Sequence, residues 1–278
     1  MPRFSLRCMA LRGVALFGLL LAAPARADAP EARIAALLHS ERLFAILARE
    51  AEEYGSDLAG EFLGAQDAGW AEEVRVIHAP ARMQAEFETV LAAELAGDPL
   101  PEIEAFLASP TGQRMIGLEL SAREALLDPG VEAAAEAALE AAEAAQDPRL
   151  AQVRAVIEAA DLVEENVAGG LNTNFAFTAA LAAGDGFAYP VTEAEILADL
   201  AAGEPDLRAD VTLWLESFLL MAYAPASEAE LAQWLAFARS EPGQALIHAQ
   251  FAGFDRVFEG SSTALGAALA RRLAATEL

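Results

Sequence analysis

Lysine is absent from this chain: all 18 basic residues are Arg, set against 43 Asp and Glu. Schiff-base chemistry and a phosphate-cradling Gly-Lys-Ser loop are therefore excluded. There is one cysteine, Cys8, so a chain that loses its N-terminus can form no disulfide, thiolate metal site or thiol nucleophile. The three histidines, His39, His78 and His248, lie far apart in sequence, and neither His-Glu-x-x-His nor Gly-x-Ser-x-Gly occurs. Strictly alternating β-branched runs are missing too, which removes the usual signal for strands. The apolar runs fall short of the roughly 20 residues that span a bilayer.

What is present begins with Arg3, Arg7 and Arg12, then the apolar run Val14 to Leu21, then Ala25-Arg26-Ala27. A basic start, a short apolar centre and small residues at a cleavage site make a secretory signal peptide, with cleavage expected after Ala27. The expected location is periplasmic or secreted. In the remaining 251 residues 14 Arg face 43 carboxylates, a formal charge of −29. Such a surface repels nucleic acid and anionic lipid, so neither is an expected partner. Without disulfides, stability has to come from a hydrophobic core, which a chain of this length can supply.

Apolar residues recur at helical spacing almost throughout, and the expected fold is all-α, a helical bundle of two related halves without a sheet. The divisions are a signal peptide at 1–27, a first helical half at 28–130, an Ala/Glu-rich connector helix at 131–147 and a second half at 148–278. Glycines and prolines suggest the helix ends. A first helix ends near Gly55, with shorter pieces over 57–63 and 70–78. Gly169-Gly170 interrupts a helix that begins near Leu150. Gly203 separates a short helix capped by Thr192 from an apolar one over 206–223. Gly260-Ser261-Ser262 precedes a last helix. Thr192 with Glu195 and Ser227 with Glu230 read as capping boxes. Glu132, Glu136, Glu140 and Glu143 share one face of the connector and read as a solvated stripe.

Two breaks organise the pattern: Ser109-Pro110-Thr111-Gly112-Gln113, and Ser240-Glu241-Pro242-Gly243-Gln244, 131 positions later. Phe106 and Phe237 precede them at equal distance. Residues 83–127 align with 214–258 without a gap, and the pairs Met83/Trp214, Phe87/Phe218 and Val90/Met221 repeat one buried stripe. Ser is a favoured N-cap. A Gly early in a helix costs about 1 kcal/mol relative to Ala, so its presence at both breaks suggests a close backbone approach where the halves meet. Phe106, Ser109, Gly112, Gln113, Phe237, Ser240, Gly243 and Gln244 form a structural motif, not a catalytic one.

A Glu-rich helix, then Phe-x-x-Ser-Pro-x-Gly-Gln, then an apolar helix resembles a family of exported bacterial proteins known as domain of unknown function 2059. Pro101 to Met115 and Ala226 to Leu246 carry the likeness, which suggests two copies. Here Phe106-Leu107 and Phe237-Ala238 stand where the family has an aromatic pair, and Gln113-Arg114 and Gln244-Ala245 where it tends to basic residues. The resemblance implies an all-helical exported domain and assigns no activity.

No catalytic residue, cofactor or metal site emerges. Asn172-Thr173-Asn174 is read as capping. Trp214, Phe218, Trp234, Phe237, Phe251 and Phe254 are read as core. The expected role is non-enzymatic binding or scaffolding of an unknown protein or apolar ligand, with no stable membrane anchor in the mature chain. The alternative is a helical carrier of an apolar small molecule or lipid, and a more distant one a carboxylate-based hydrolase using His248. A pocket of several hundred Å3 favours the carrier.

Overall fold

A computed structural model describes residues 30–64, 68–97 and 99–276; the signal-peptide reading and Asp98 lie outside them. Among the described residues there are helices and no strand. The helices are α1 (Pro30–Leu37), α2 (Ser40–Leu58, continued by a π-helical turn, Ala59–Leu63), α3 (Ala68–Ile77), α4 (Pro80–Glu94), α5 (Leu100–Leu107) and α6 (Pro110–Ala125). They continue as α7 (Pro129–Ala145), α8 (Pro148–Ala159), α9 (Leu162–Ala183), α10 (Glu193–Tyr223), α11 (Glu228–Ala238) and α12 (Glu241–Thr276).

Local chemistry explains the starts. Thr192 and Ser227 accept from the N–H groups of Glu195 and Glu230, while each Glu reaches back to the cap backbone, so both capping boxes form. Asp128 and Asp147 cap α7 and α8 by accepting from Gly130 N and Arg149 N, both at 2.8 Å.

Several expected breaks are absent. Gly55 lies inside α2, Gly169-Gly170 inside α9, Gly203 and Pro205 inside α10, and Gly260 inside α12. A single interior Gly costs only about 1 kcal/mol, and helices packed along their length recover more than that. At Gly266 the absence of a side chain is required: a Cβ there would lie 2.3 Å from the Phe177 carbonyl oxygen of α9. That close approach holds α9 and α12 together. Conversely, the expected first helix is divided at His39 (φ 53°) and the one from Leu150 at Asp161 (φ 51°), both left-handed. Non-glycine residues rarely adopt this conformation, and sequence periodicity does not register it. Asn172-Thr173-Asn174 caps nothing: Thr173 and Asn174 are buried within α9. Ser261 and Ser262, expected before a helix, are buried in the middle of α12.

Three apolar clusters hold the helices. One gathers Phe44, Met83, Phe87 and Ile103 with Leu246 and Val257; a second gathers Met115, Leu139, Val153, Leu219 and Tyr223; a third gathers Trp70, Val74, Phe177 and Leu265. Each joins distant parts of the chain. Helix α12 packs along α4 and α9, whereas α6 packs on α10 and α11. Helix α7 is more than a connector, since Ala135, Leu139 and Ala142 are buried and the helix lies against α10. No helix among the described residues is long and apolar enough to cross a membrane.

Candidate functional site

The two sequence breaks meet in space. The rings of Phe106 and Phe237 stack, with centroids 3.9 Å apart and planes 8° from parallel. Each is half-buried. Ser109 Oγ accepts from Gly112 N at 3.0 Å and donates to the Phe106 carbonyl at 2.6 Å. Ser240 repeats this with Gly243 N at 3.2 Å and the Phe237 carbonyl at 2.7 Å. A Cβ on Gly112 would fall 2.3 Å from the Phe106 oxygen, and one on Gly243 would fall 1.9 Å from the Phe237 oxygen. The close approach is thus to the end of the preceding helix, not to the other half as expected, because a short kink folds each helix back on its neighbour.

The glutamines tie the breaks to the left-handed corners. Gln113 Nε2 donates to the Leu107 and Leu37 carbonyls, both at 2.9 Å. Its Oε1 is left as acceptor for His39 Nε2 at 3.0 Å, so that ring nitrogen carries the proton. Gln244 Nε2 donates to the Ala238 carbonyl and, at 2.8 Å, to that of Ala159. Six of the eight motif residues, Ser109, Gly112, Gln113, Ser240, Gly243 and Gln244, act through hydrogen bonds or close packing at their own break, and the other two, Phe106 and Phe237, stack across the breaks.

Between the corners lies a cavity of about 430 Å3. Trp214 and Phe218 from α10, Trp234 and Phe237 from α11, and Phe251 and Phe254 from α12 all line it. All but Phe251 of these side chains, expected to be core, pack with the core on one side and border the cavity on the other. No sequence periodicity distinguishes the two, because a stripe facing a void has the same spacing as one facing a side chain.

The polar wall is mostly acidic. Glu119, Glu132, Glu136, Glu165, Asp210 and Asp255 line the cavity, and among the described residues Arg123 is the one basic residue on it. Arg123 is held by Glu50 through two contacts of 2.8 and 2.9 Å, and its guanidinium lies 5.8 Å from the Trp214 ring centre. Glu132, Glu140 and Glu143 are exposed, as expected of a solvated stripe, and Glu136 is half-buried; Glu132 and Glu136 also border the cavity, while Glu143 pairs with Arg154.

Glu119 and Asp255 are the strongly perturbed carboxyls among these. Trp234 Nε1 donates to the Tyr223 hydroxyl at 2.9 Å, and that hydroxyl meets Glu119 Oε1 at 2.5 Å. Indole N–H is only a donor, so the Tyr223 oxygen accepts it and the Tyr223 proton goes to Glu119. Burial nonetheless pushes the Glu119 carboxyl up to about 7, the Tyr223 bond opposing it. Tyr223 is raised well above its ordinary value by burial, then by the neighbouring Glu119 charge. Asp255 is pushed up to about 6, first by burial and then by the charges of Glu259 and Glu165. Nothing in the sequence marks Glu119 or Asp255 among the many carboxylates.

The histidines stand apart. His78 is buried, its Nδ1 paired with the Val74 carbonyl. His248 is 74 % exposed and 3.7 Å from Glu94, on the surface and not in a cleft. Among the described residues no group of three or more His, Cys, Asp or Glu is arranged to hold a metal ion.

Residues 81–141, from α4 into α7, match a family described as an uncharacterized protein conserved in bacteria, DUF2059. This segment carries the family resemblance. It includes the first break, Glu119 and Arg123; the match does not extend to the second break. No curated protein and no solved structure matches the chain.

Proposed function

We propose that this is an exported, non-catalytic helical carrier that encloses an apolar small molecule in its central cavity. One observation carries the reading: a cavity of about 430 Å3 lined by aromatic side chains of three helices. Its size falls within the roughly 300–1,000 Å3 of small-molecule sites, and such sites are mostly apolar with a few placed polar groups. A protein–protein scaffold, the first expectation from sequence, calls for a contiguous exposed apolar patch. The large apolar side chains exposed among the described residues, Val76, Tyr189, Leu197 and Leu213, come from three separate segments.

The proposal includes a duplicated architecture. Helices α1, α2, α4, α5 and α6 would correspond to α8, α9, α10, α11 and α12. Contacts repeat under that exchange: α1 on α5 and α8 on α11, α2 on α4 and α9 on α10, α6 on α10 and α12 on α4. The cavity then lies where the two copies exchange their last helices, and a ligand there would be enclosed by both.

Export and cleavage after Ala27 belong to the same reading. Native mass spectrometry of protein recovered from its own compartment is expected to show the mass beginning at Asp28 plus a retained small molecule. In solution, the neutral probe N-phenyl-1-naphthylamine should gain fluorescence on binding, and Val211→Trp, which fills the cavity, should abolish the gain. Binding undiminished in a folded Val211→Trp protein would remove the carrier reading.

A further inference from the structure

The acidic cavity wall selects among apolar ligands. Resting on the carrier reading, we infer that the ligand is a lipophilic cation, with its tail among the aromatic rings and an ammonium head against Asp255 and Glu165.

Asp255 and Glu165 line the cavity from α12 and α9. Among the described residues the Asp255 carboxyl has neither a hydrogen bond nor an ion pair, and the nearby charges that act on it, Glu259 and Glu165, are also negative. Its Oδ1 would lie 2.9 Å from a Cβ on Gly169, so the carboxyl is pressed against the α9 backbone with no side chain between them. Like charges gathered without a counter-charge are unfavourable, and a bound cation relieves them. Among the described residues the one basic group on the cavity wall, Arg123, is committed to Glu50.

The surrounding rings suit the same head group. Phe251, Phe254 and Phe258 lie within one helical turn of Asp255 on α12 and all border the cavity. Phe254 and Phe258 stack with centroids 5.7 Å apart. Aromatic faces attract ammonium groups, most strongly where water is excluded. An anionic amphiphile would meet six carboxylates on this wall, and a neutral one would leave Asp255 unpaired.

The test is isothermal titration of the mature protein with dodecyltrimethylammonium, dodecanol and dodecanoate below their aggregation limits, with N-phenyl-1-naphthylamine as the neutral reference. The cation should bind at least roughly tenfold tighter than the alcohol, as close charge pairs in a desolvated site do. The acid should bind weakest. In Asp255→Asn the ratio of cation to neutral-probe affinity should fall by about the same factor, and Glu165→Gln should lower it less. Glu140→Gln, on the solvated side of α7, should leave the ratio unchanged.

Equal binding of alcohol and cation would overturn the inference while leaving the carrier reading intact, provided the neutral probe still binds. So would an equal loss in Glu140→Gln, which would mean diffuse attraction to an acidic surface. If neither the probe nor any amphiphile binds, the carrier reading fails and takes this inference with it.

Discussion

Positions 131 apart, matched in the ungapped sequence alignment, do different work. Met83 and Phe87 are fully buried on α4, and Phe87 packs against Phe44 at 5.3 Å and Phe254 at 4.8 Å. Their counterparts on α10, Trp214 and Phe218, stack on each other at 4.9 Å and border the cavity. Glu119 on α6 corresponds to Gln250 on α12, and both line the cavity, yet only Glu119 faces a Tyr. The position matching Tyr223 is Ala92, and the one matching Trp234 is Ile103. One wall therefore carries a Trp–Tyr–Glu chain and the other does not. The two segments share the geometry of their breaks and caps while their facing side chains differ, because a corner is held by backbone geometry and a cavity by side-chain choice.

The sharpest test of that contrast is the Phe pair. Phe87→Ala should cost about 3–5 kcal/mol, as large-to-small changes in a closed core do. Phe218→Ala, beside existing empty space, should cost clearly less. Chemical denaturation of both variants measures the difference, and equal losses would mean the cavity wall is as tightly packed as the core.

The acid pair comes next. A carboxyl whose value is raised in the folded state binds its proton more tightly there than in the unfolded chain. Glu119 thus contributes most at low pH, and that contribution falls as pH rises from near 4.5 to about 7. Asp255 acts the same way between near 3.8 and about 6. Glu119→Gln should raise stability at pH 8 by up to about 3 kcal/mol relative to its effect at pH 4. Gln250→Glu should do the opposite. Denaturation midpoints across pH 4–8 decide it; a parallel pH profile for Glu119→Gln and the parent would mean the carboxyl is solvated.

The glycines at the breaks should follow. Gly112→Ala and Gly243→Ala each force a Cβ onto a carbonyl oxygen and should cost about 1–3 kcal/mol. Gly243 should cost more, since its approach is the closer one. A neutral Gly243→Ala would show that the kink relaxes freely. The smallest effects belong to the caps: Ser109→Ala and Ser240→Ala should each lose about 1 kcal/mol in thermal or chemical unfolding. A large loss at one cap alone would separate the two corners.

The all-helical class, the capping boxes at Thr192 and Ser227 and the cap at Ser109 were legible from residue order. Each is set within a few residues, where hydrogen-bonding side chains and apolar spacing act directly on the backbone. Phe237 read as a buried core side chain is half-buried instead, because its neighbour in the structure is the ring of Phe106. The glycines at 169, 170, 203 and 260 misled for the reverse reason: propensity acts locally, while contacts along α9, α10 and α12 extend over many turns.

What the sequence determined by itself was local: helix, cap and the repeated Ser-x-x-Gly-Gln break, each the product of short-range sterics and hydrogen bonds. Tertiary structure decided the rest. Glu119 and Tyr223 stand 104 residues apart, and Phe106 and Phe237 131 apart. The packing of α6 on α10 brings the first pair together, and that of α6 on α11 and of α12 on α5 the second. An aromatic stripe becomes a wall when the helix opposite leaves space in front of it, and one carboxylate among 43 becomes a perturbed acid when the Tyr223 hydroxyl is placed against it.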